Sequence, residues 1–328
     1  MCTAITLQTK DHYFGRNLDL EFSYQEAVTI TPRNYCFSFR QASAPGTQLA
    51  MIGMATVAKD YPLYYDATNE KGLSMAGLNF PGNAVYRNAR PEMDNIAPFE
   101  LIPWVLRQCS DLQQAKTLLM RCNLINAPFN KDFPLTPLHW FLADESGSIT
   151  IEPTADGLQI YENPIGVLTN NPPFDYHMEH LKNYLNLTSA EPHNRFAPSV
   201  DLTPYSRGMG AIGLPGDLSS SSRFVRAAFT KLNSRCHDSE SASISQFFHI
   251  LGSVVQQEGC VKVGNAYEKT VYTSCCNTTR GIYYYTTYEN SQITAVYLHN
   301  APLNSDRLFR YPLVTDQQIR IENPSMWN

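Results

Sequence analysis

The feature of this sequence that most restricts its fold is a succession of short strand patterns separated only by turns. Residues 51–58, 63–68 and 73–79 are apolar, β-branched or aromatic runs, and the polar stretches 59–62 and 69–72 lie between them. Runs of this kind, bounded by turn residues, predict consecutive strands of an antiparallel sheet.

Further strands and several helices follow in separate groups. Strand patterns recur at 138–143, 148–152, 158–161, 166–169, 269–276, 282–288 and 292–298. Helical spacing of apolar residues predicts helices at 98–106, 110–122, 174–187, 219–226 and 244–255. This order lacks the strict β–α alternation of a parallel sheet. We therefore predict an α+β fold with two antiparallel sheets and helical layers outside them, in a single domain over residues 1–328.

The composition excludes several classes of partner. A 328-residue chain with 43% hydrophobic residues has ample material for a core. Its net charge of −5 comes without a basic stripe or tail, so we expect no nucleic acid partner. Its apolar stretches are shorter than the roughly 18 residues of a membrane span, and it lacks a secretory signal. We expect a cytoplasmic protein with eight scattered, reduced cysteines, no membrane contact, no metal and no cofactor.

Cys2 gives the sequence a candidate nucleophile at its N-terminus. If Met1 is removed, one residue carries both a thiol and a free amine that can take the thiol proton. A carboxylate nearby would hold that amine, and an arginine nearby would favour thiolate over thiol. Asp19 and Arg16 are the candidates for these two tasks.

A predicted hairpin brings Asp19 towards Cys2. With residues 10–11 at the centre of the turn, antiparallel partners have numbers that sum to 21, and Cys2 lies opposite Asp19. A regular strand points Arg16 and Asp19 to opposite faces, so a bulge or a strand end near Asn17 is required. A surface ion pair of Arg16 and Asp19, with Cys2 as a small buried residue, is the alternative that these residues alone leave open.

Three more polar residues occupy places suited to a site. Asn79 lies at a strand end between glycines, where backbone approaches a ligand closely, and Asn170 follows another strand end. Arg223 lies in the first turn of a predicted helix, where its charge opposes the helix dipole unless it has a partner. An ordinary loop, and a turn-initiating Asn before proline, are the alternatives for the two asparagines.

Short motifs along almost the whole chain resemble the choloylglycine hydrolase family, which includes bile salt hydrolases and penicillin V acylases. The family belongs to the N-terminal nucleophile hydrolases, so the resemblance implies their four-layer αββα sandwich. The motifs are MCT at 1–3, FGRNLD at 14–19, DYP at 60–62, NEKGL at 69–73, AGLNFP at 76–81, LHW at 138–140, GVLTN at 166–170, GLPGD at 213–217, SRF at 222–224 and YYYTTYEN at 283–290.

The resemblance implies a role for each polar candidate. Cys2 would be the nucleophile and its α-amine the base. Arg16 and Asp19 would orient and tune that pair, and Arg223 would support it from the far side. The main-chain N–H of Asn79 and the side-chain amide of Asn170 would form the oxyanion hole.

The resemblance also implies a substrate. The expected reaction is hydrolysis of glycine- or taurine-conjugated bile acids, such as glycocholate and taurocholate, through a thioester in a gut bacterium, with reverse transfer of the acyl group to other amines. Asn79 favours bile salts, because penicillin V acylases tend to carry Tyr there. Ala58 stands where some relatives carry Phe. The expected apolar pocket residues, for which core packing is the alternative, are Leu18, Leu20, Tyr65, Phe129 and Phe133.

Other features leave alternatives open. Arg207, in a Ser-Arg-Gly loop, favours taurine conjugates through an anionic sulfonate. The alternative enzyme is an acylase for penicillin V or N-acyl-homoserine lactones, and the alternative without catalysis is a steroid-binding module. The family suggests a homotetramer, for which the polar segment 188–205 is a candidate contact.

Overall fold

The computed structural model describes residues 1–42, 46 and 48–323. Its strands, in chain order, are β1 (Cys2–Gln8), β2 (His12–Leu20), β3 (Ala27–Thr31), β4 (Met51–Ala58), β5 (Tyr61–Asn69), β6 (Ser74–Asn79), β7 (Asp94–Ile96), β8 (Cys122–Leu124), β9 (Leu138–Asp144), β10 (Gly147–Thr154), β11 (Gly157–Glu162), β12 (Val167–Leu168), β13 (Val261–Val263), β14 (Ala266–Asn277), β15 (Ile282–Thr287), β16 (Thr294–Tyr297) and β17 (Phe309–Pro312). Its α-helices are α1 (Leu101–Leu106), α2 (Leu112–Leu119), α3 (Phe174–Leu181), α4 (Ser220–Asn233) and α5 (Glu240–Gly252).

Two antiparallel sheets form the centre of the molecule. The N-terminal sheet has the order β12-β1-β2-β14-β15-β16, with β13 paired to β14. The second sheet has the order β11-β10-β9-β6-β5-β4-β3-β17. Helices α4 and α5 pack on the N-terminal sheet, α1 and α2 pack on the second sheet, and β1 and β2 contact β6. The predicted αββα sandwich is therefore confirmed.

The cover on both faces explains the composition of the inner strands. β4 is buried over most of its length, because one face meets the opposite sheet and the other meets the helical layer. Such a strand is apolar almost throughout instead of alternating with polar residues. No helix in the part of the chain that the structure describes has the length and apolar character of a membrane span.

The β1–β2 hairpin pairs one residue away from the predicted register. Cys2 lies opposite Leu18, and Asp19 exchanges main-chain hydrogen bonds of 2.8 and 3.0 Å with Met1. The turn has three residues, 9–11, closed by a main-chain hydrogen bond of 3.0 Å between the first and the third. The prediction that Cys2 pairs with Asp19 was wrong, because it assumed a two-residue turn and the turn has three residues.

The irregularity expected near Arg16 and Asp19 lies on the neighbouring strand. β2 continues past Asn17 to Leu20, so the strand end expected at Asn17 is not found. The register instead shifts on β14 between Thr270 and Tyr272. Arg16 donates to main-chain oxygens of the second sheet, whereas Asp19 accepts a hydrogen bond of 2.6 Å from the Thr270 hydroxyl.

A second bulge opens a gap in the second sheet. Tyr65 is an extra residue of β5, since Asp66 pairs with Met54 and Tyr64 pairs with Ala55. β5 pairs with β6 only at residues 66–68. Beyond that point the two strands separate. Bulges often lie beside functional sites, where they re-aim side chains.

Two helices begin at other residues than predicted. α2 begins at Leu112, because the carboxylate of Asp111 accepts a hydrogen bond of 2.8 Å from the N–H of Gln114 and caps it. It ends before Cys122, which begins β8 in a small parallel pair with β7. α5 begins at Glu240, four residues earlier than predicted. In both cases a side-chain cap outside the apolar period sets the start of the helix.

Candidate functional site

Cys2 lies where the N-terminal sheet, α4 and the second sheet meet. It begins β1 and is 3% exposed. Its main-chain N–H donates a 2.8 Å hydrogen bond to the side-chain oxygen of Asn170, and its carbonyl accepts from Arg223. Asn170 and Arg223, which are 168 and 221 positions away in the chain, therefore hold the main chain of Cys2.

Arg223 has the partners that its position in α4 requires. It is fully buried in the first turn of α4, which the Ser219 side chain caps. Its Nη1 also donates to the hydroxyl of Thr3 (2.7 Å), its Nη2 to Asn170 Oδ1 (2.8 Å), and its Nε to the carbonyl of Leu218 (3.1 Å). Burial lowers the pKa of Arg223, and the nearby Asp19 and Cys2 act in the opposite direction. The sequence argument that this arginine needs a partner is consistent with these contacts.

The amide of Asn170 has a fixed orientation. Its Oδ1 accepts from Cys2 and from Arg223, so the oxygen faces those donors and the nitrogen faces away. Its Nδ2 donates one hydrogen to the main-chain oxygen of Asn79 (2.7 Å). Two residues that the sequence did not indicate hold its main chain: Ser220 Oγ accepts from its N–H (2.8 Å), and His177 Nε2 donates to its carbonyl (2.9 Å).

The main chain of Asn79 faces the same space. Phe80 donates its N–H to the carbonyl of Pro137 (2.8 Å), so this pair carries the ladder hydrogen bond between β6 and β9. Hydrogen-bonding direction alternates along an antiparallel strand, so the N–H and C=O of Asn79 point away from β9. The C=O meets Asn170 there. The Asn79 N–H and the second N–H of the Asn170 amide are thus two donors on residues that meet beside Cys2.

Arg16 lies in the gap where β5 and β6 separate. Its Nη1 donates to the carbonyl of Tyr65 (3.0 Å) and to that of Gly77 (2.5 Å), in place of the ladder bonds that the two strands no longer form. Its Nη2 has no acceptor among the residues that the structure describes. Burial alone lowers the pKa of Arg16, but nearby groups, first Cys2 and then Tyr272 and Asp66, outweigh it and raise the pKa.

Asp66 is a buried carboxylate that the sequence argument missed. Its two oxygens accept hydrogen bonds of 2.7 Å each from the hydroxyls of Tyr272 and Tyr283, on the opposite sheet. Burial raises its pKa, and Arg16 acts against that shift. No local pattern marks this residue, because its partners lie more than 200 positions away.

Asp19 and the N-terminus lie close enough to shift the pKa of one another. Burial raises the pKa of Asp19, against the lowering effect of Arg223 and the terminal ammonium. Burial lowers the pKa of the Met1 ammonium, which donates to the main-chain oxygen of Asp19 and forms an ion pair with Glu268. Within residues 1–42, 46 and 48–323, Oδ2 of Asp19 has no hydrogen-bond donor.

A largely apolar cavity of about 370 Å³ opens beside Cys2. Arg16 and Asn79 also line it. Part of its wall is the loop 127–136. All five residues predicted for the apolar pocket line it: Leu18, Leu20, Tyr65, Phe129 and Phe133. Arg207 is exposed and lies outside this set.

The cavity also has lining residues that the sequence argument did not select. The additional lining residues include Tyr24, Leu63, Ile102, Leu135 and Trp140. Among the residues described, no group of three or more His, Cys, Asp or Glu side chains is placed to hold a metal ion.

The fold and this site match one class of enzyme. The family model described as linear amide C–N hydrolases, choloylglycine hydrolase family, matches residues 2–311. The chain belongs to the choloylglycine hydrolase family. The protein is therefore an enzyme of the linear amide C–N hydrolase class, and the family resemblance seen in the sequence is confirmed.

Individual relatives agree with this assignment. The chain is 54% identical to the bile salt hydrolase/transferase of Lactiplantibacillus plantarum over 324 residues, which cover 98% of this chain and all of the relative. A crystal structure of a cysteine-to-alanine mutant of the conjugated bile acid hydrolase from Clostridium perfringens superposes with a TM-score of 0.91 at 36% identity, covering 98% of this chain and all of that one. The penicillin V acylase of Agrobacterium tumefaciens shares the fold, with a TM-score of 0.73 at 17% identity over 94% of this chain and 90% of that one.

Proposed function

We propose that the protein hydrolyses the amide bond of conjugated bile salts, with Cys2 as nucleophile after removal of Met1. The observation that carries this proposal is the position of Cys2 between a buried polar cluster and a largely apolar cavity. The polar cluster suits an amide carbonyl, and the cavity suits the apolar acyl group attached to it. Relatives named for bile salt hydrolysis support the choice of substrate.

The α-amine of Cys2 takes the thiol proton in the proposed mechanism. An α-amine has an ordinary pKa of about 7.7–8.0, so part of it is neutral near pH 7. Burial lowers the pKa of the terminal ammonium at Met1, the residue bonded to this amine. Asn170 Oδ1 already accepts from this nitrogen and keeps it beside the sulfur. No side-chain base is therefore needed for the first step.

Two donors stabilise the charge that develops during attack. When the sulfur adds to the amide carbon, the carbonyl oxygen becomes an oxyanion that faces the N–H of Asn79 and the free N–H of Asn170. Each donor of this kind typically lowers the barrier by roughly 3–4 kcal/mol. The protonated amine of Cys2 then gives its proton to the leaving nitrogen as the C–N bond breaks. Water attacks the resulting thioester and releases the bile acid.

Arg16, Asp19 and Arg223 hold the reacting groups in this proposal. Arg223 fixes the carbonyl of Cys2 and the amide of Asn170 at once. Nη2 of Arg16 has no acceptor among the described residues, and the positive charge of Arg16 interacts with Cys2. Asp19 provides a negative charge beside the amine.

The apolar wall of the cavity provides the contact with the steroid. Leu18 and Leu20 extend from β2, Tyr65 comes from the bulge of β5, and the rings of Phe129 and Phe133 pack against each other at 6.1 Å. The volume falls within the usual range of small-molecule sites. We retain Asn79 as the residue that favours bile salts over penicillin V, because penicillin V acylases tend to carry Tyr at this position.

Side-by-side turnover tests the substrate. The mature enzyme is given glycocholate and penicillin V, and release of glycine and of the free penicillin nucleus is measured. We expect kcat/KM for glycocholate to exceed that for penicillin V by at least about 100-fold, the difference produced by roughly 3 kcal/mol of transition-state binding. Faster turnover of penicillin V, or of an N-acyl-homoserine lactone, contradicts the proposal. Binding of bile salt without turnover would support the steroid-binding module instead.

The amino-acid preference is a separate proposal. Arg207 favours taurine conjugates through its guanidinium, and its exposed position just after segment 188–205 leaves it accessible to an anionic group. We expect Arg207→Ala to lower the ratio of kcat/KM for taurocholate to that for glycocholate. An unchanged ratio would show that Arg207 does not contact the amino-acid part of the substrate.

We also propose a homotetramer in the cytoplasm, with residues 1–328 as one domain. The segment 188–205 carries the apolar side chains Phe196 and Tyr205, which are 93% and 85% exposed. Such exposure of large apolar groups is typical of an interaction site. All eight cysteines are free thiols, in agreement with a reducing compartment. Sedimentation of the wild type and of Phe196→Asp measures the assembly, and a monomeric wild type contradicts it.

A further inference from the structure

Met1 occupies a position that is suited to an ammonium group. Its terminal ammonium donates to the main-chain oxygen of Asp19 (2.8 Å) and pairs with the carboxylate of Glu268. Glu268 is on β14, only 4% exposed, and no other donor reaches it within the part of the chain that the structure describes. When Met1 is removed, a buried carboxylate is left without its cation. A buried charge of this kind is costly until a new cation replaces the old one.

The surroundings contain more acceptors than donors. Asp19 Oδ2 and Gln256 Oε1 are both buried without a donor among the residues described. Thr270 links these two residues, because its hydroxyl donates to Asp19 Oδ1 (2.6 Å) and accepts from the N–H of Gln256 (2.8 Å). An ammonium group has three hydrogens and no acceptor atom. A place with more acceptors than donors is therefore suited to an ammonium group.

The amine of Cys2 does not need Glu268. That nitrogen already donates to Asn170 Oδ1 at 2.8 Å, and the charge of Asp19 lies close to the chain terminus. The ammonium position of Met1 lies one residue before Cys2, ahead of the start of β1. Met1 is bonded directly to Cys2, a residue of the cavity lining, so this position adjoins the cavity beside Cys2.

We propose that Glu268 and the main-chain oxygen of Asp19 form a subsite that binds the ammonium of an amine that exchanges with the thioester on Cys2. This inference rests on the proposed function. The ligand is a primary amine, either the one released from the conjugate or an acceptor that takes the acyl group in place of water. The position of Met1 marks where its nitrogen enters.

The transfer step balances without a further reactant. The bound ammonium gives one proton to Glu268 and becomes a neutral amine. Its nitrogen attacks the acyl carbon of the thioester, a new C–N bond forms, the C–S bond breaks, and the nitrogen loses its second proton to the amine of Cys2. That proton returns to the thiolate, and Glu268 releases its proton to solvent. The products are the new amide and free Cys2.

The test measures how the thioester partitions between hydrolysis by water and transfer to an amine. The mature enzyme receives glycocholate with n-propylamine, and the ratio of N-propyl amide to free cholate is measured by mass spectrometry. Both products form from the same thioester, so the ratio does not depend on the rate at which the thioester forms. We expect Glu268→Gln to lower the ratio roughly 10- to 100-fold, because a charge-assisted contact is lost.

Two controls separate this subsite from other effects. Glu258→Gln removes a carboxylate that pairs with Lys269 on the same strand, and we expect the ratio to stay unchanged. Hydroxylamine, which is neutral at pH 7, replaces propylamine in a parallel series, and we expect Glu268→Gln to leave its ratio unchanged. An equal fall with both amines contradicts the inference, as does an unchanged propylamine ratio in Glu268→Gln.

A measurement on the wild type covers the case in which Glu268→Gln does not fold. With a binding subsite, the ratio of amide to cholate saturates as the propylamine concentration rises. A ratio that rises linearly to high concentration shows attack from free solution and overturns the inference. If the wild type forms neither cholate nor amide, the proposed function itself has failed, which is a distinct result.

Discussion

The two walls of the cleft differ in how their side chains are held. On the polar wall, every nitrogen of the Arg223 guanidinium meets an acceptor, and Asn170 is fixed by five hydrogen-bonding partners. On the apolar wall, Phe129 and Phe133 are half-buried and are held by ring contacts, which have no single required geometry. A wall that stabilises charge needs donors in fixed positions, whereas a wall that binds an apolar ligand needs a large apolar surface.

This comparison predicts different kinetic effects for changes in the two walls. Removing a polar group should lower kcat, since its interaction is strongest in the transition state. Removing an apolar group should mainly raise KM, because the steroid contact is the same before and during the reaction.

Loss of the nucleophile gives the largest expected effect. Cys2→Ala should lower the hydrolysis of glycocholate by roughly 10⁴-fold or more, because no other group can form the thioester. Release of glycine by purified enzyme measures it. Cys276→Ala is the matched control, since Cys276 is equally buried on β14, and it should retain activity. Activity of Cys2→Ala within tenfold of the wild type would show that another group attacks the substrate.

Loss of one oxyanion donor should have the next largest effect. Asn170→Ala should lower kcat by about 10²- to 10³-fold. Asn163→Ala removes a buried amide that bonds to the carbonyl of Val167 (2.9 Å) away from the cavity. It should lower Tm and leave kcat nearly unchanged. Equal effects of the two substitutions on kcat would mean that Asn170 acts through the fold alone.

A change in the apolar wall should have a smaller and different effect. Phe129→Ala should lower kcat/KM for glycocholate about 10- to 100-fold, mainly through KM, because about 1.5–3 kcal/mol of apolar contact is lost. Phe309→Ala, on β17 away from the cavity, is the control and should leave KM unchanged. A fall in kcat alone for Phe129→Ala would remove the distinction between the two walls.

The smallest expected effect is on stability. Burial raises the pKa of Asp19, so folding favours its protonated form. The contribution of this group to stability is therefore present at low pH and is lost as pH rises through the folded pKa, which leaves a cost at pH 7. Asp19→Asn should remove that cost and raise Tm by about 2–4 °C, while hydrolysis falls.

A matched carboxylate in the turn between β1 and β2 tests the sign of this effect. Asp11 forms a 2.7 Å ion pair with Arg280, so Asp11→Asn should lower Tm. Thermal unfolding of the mature forms at pH 7 and pH 4 measures both variants. The gain in Tm for Asp19→Asn should shrink at pH 4. A gain that grows at pH 4 would contradict the assigned direction of the pKa shift.

The sequence was most informative about elements with a local pattern. The strands around residues 51–58 and 73–79 were predicted nearly to the residue, since apolar runs and turn residues are neighbours in the chain. The pattern was less informative for α2 and α5, whose starts depend on the capping side chains of Asp111 and Ser239. The β7–β8 pair was missed because each strand has only three residues.

The candidate site could be predicted only in part, and the reason is the same. Motifs shared with the family identified Cys2, Asn79, Asn170 and Arg223, and the structure brings these four residues together. Asp66 and Glu268 have no such motif. Their importance follows from partners on another sheet or at the chain terminus, which no local pattern contains.

The sequence by itself determined the αββα class, the residue types available for chemistry and the family, because periodicity and short motifs are properties of neighbouring residues. The tertiary structure alone decided the one-residue shift that places Leu18 opposite Cys2, the bulges in β5 and β14, and the orientation of the Asn170 amide. These depend on hydrogen bonds between residues that are distant in the chain, such as Cys2 and Arg223 at 221 positions and Asp19 and Thr270 at 251, and the geometry of such contacts is set only when the two sheets pack.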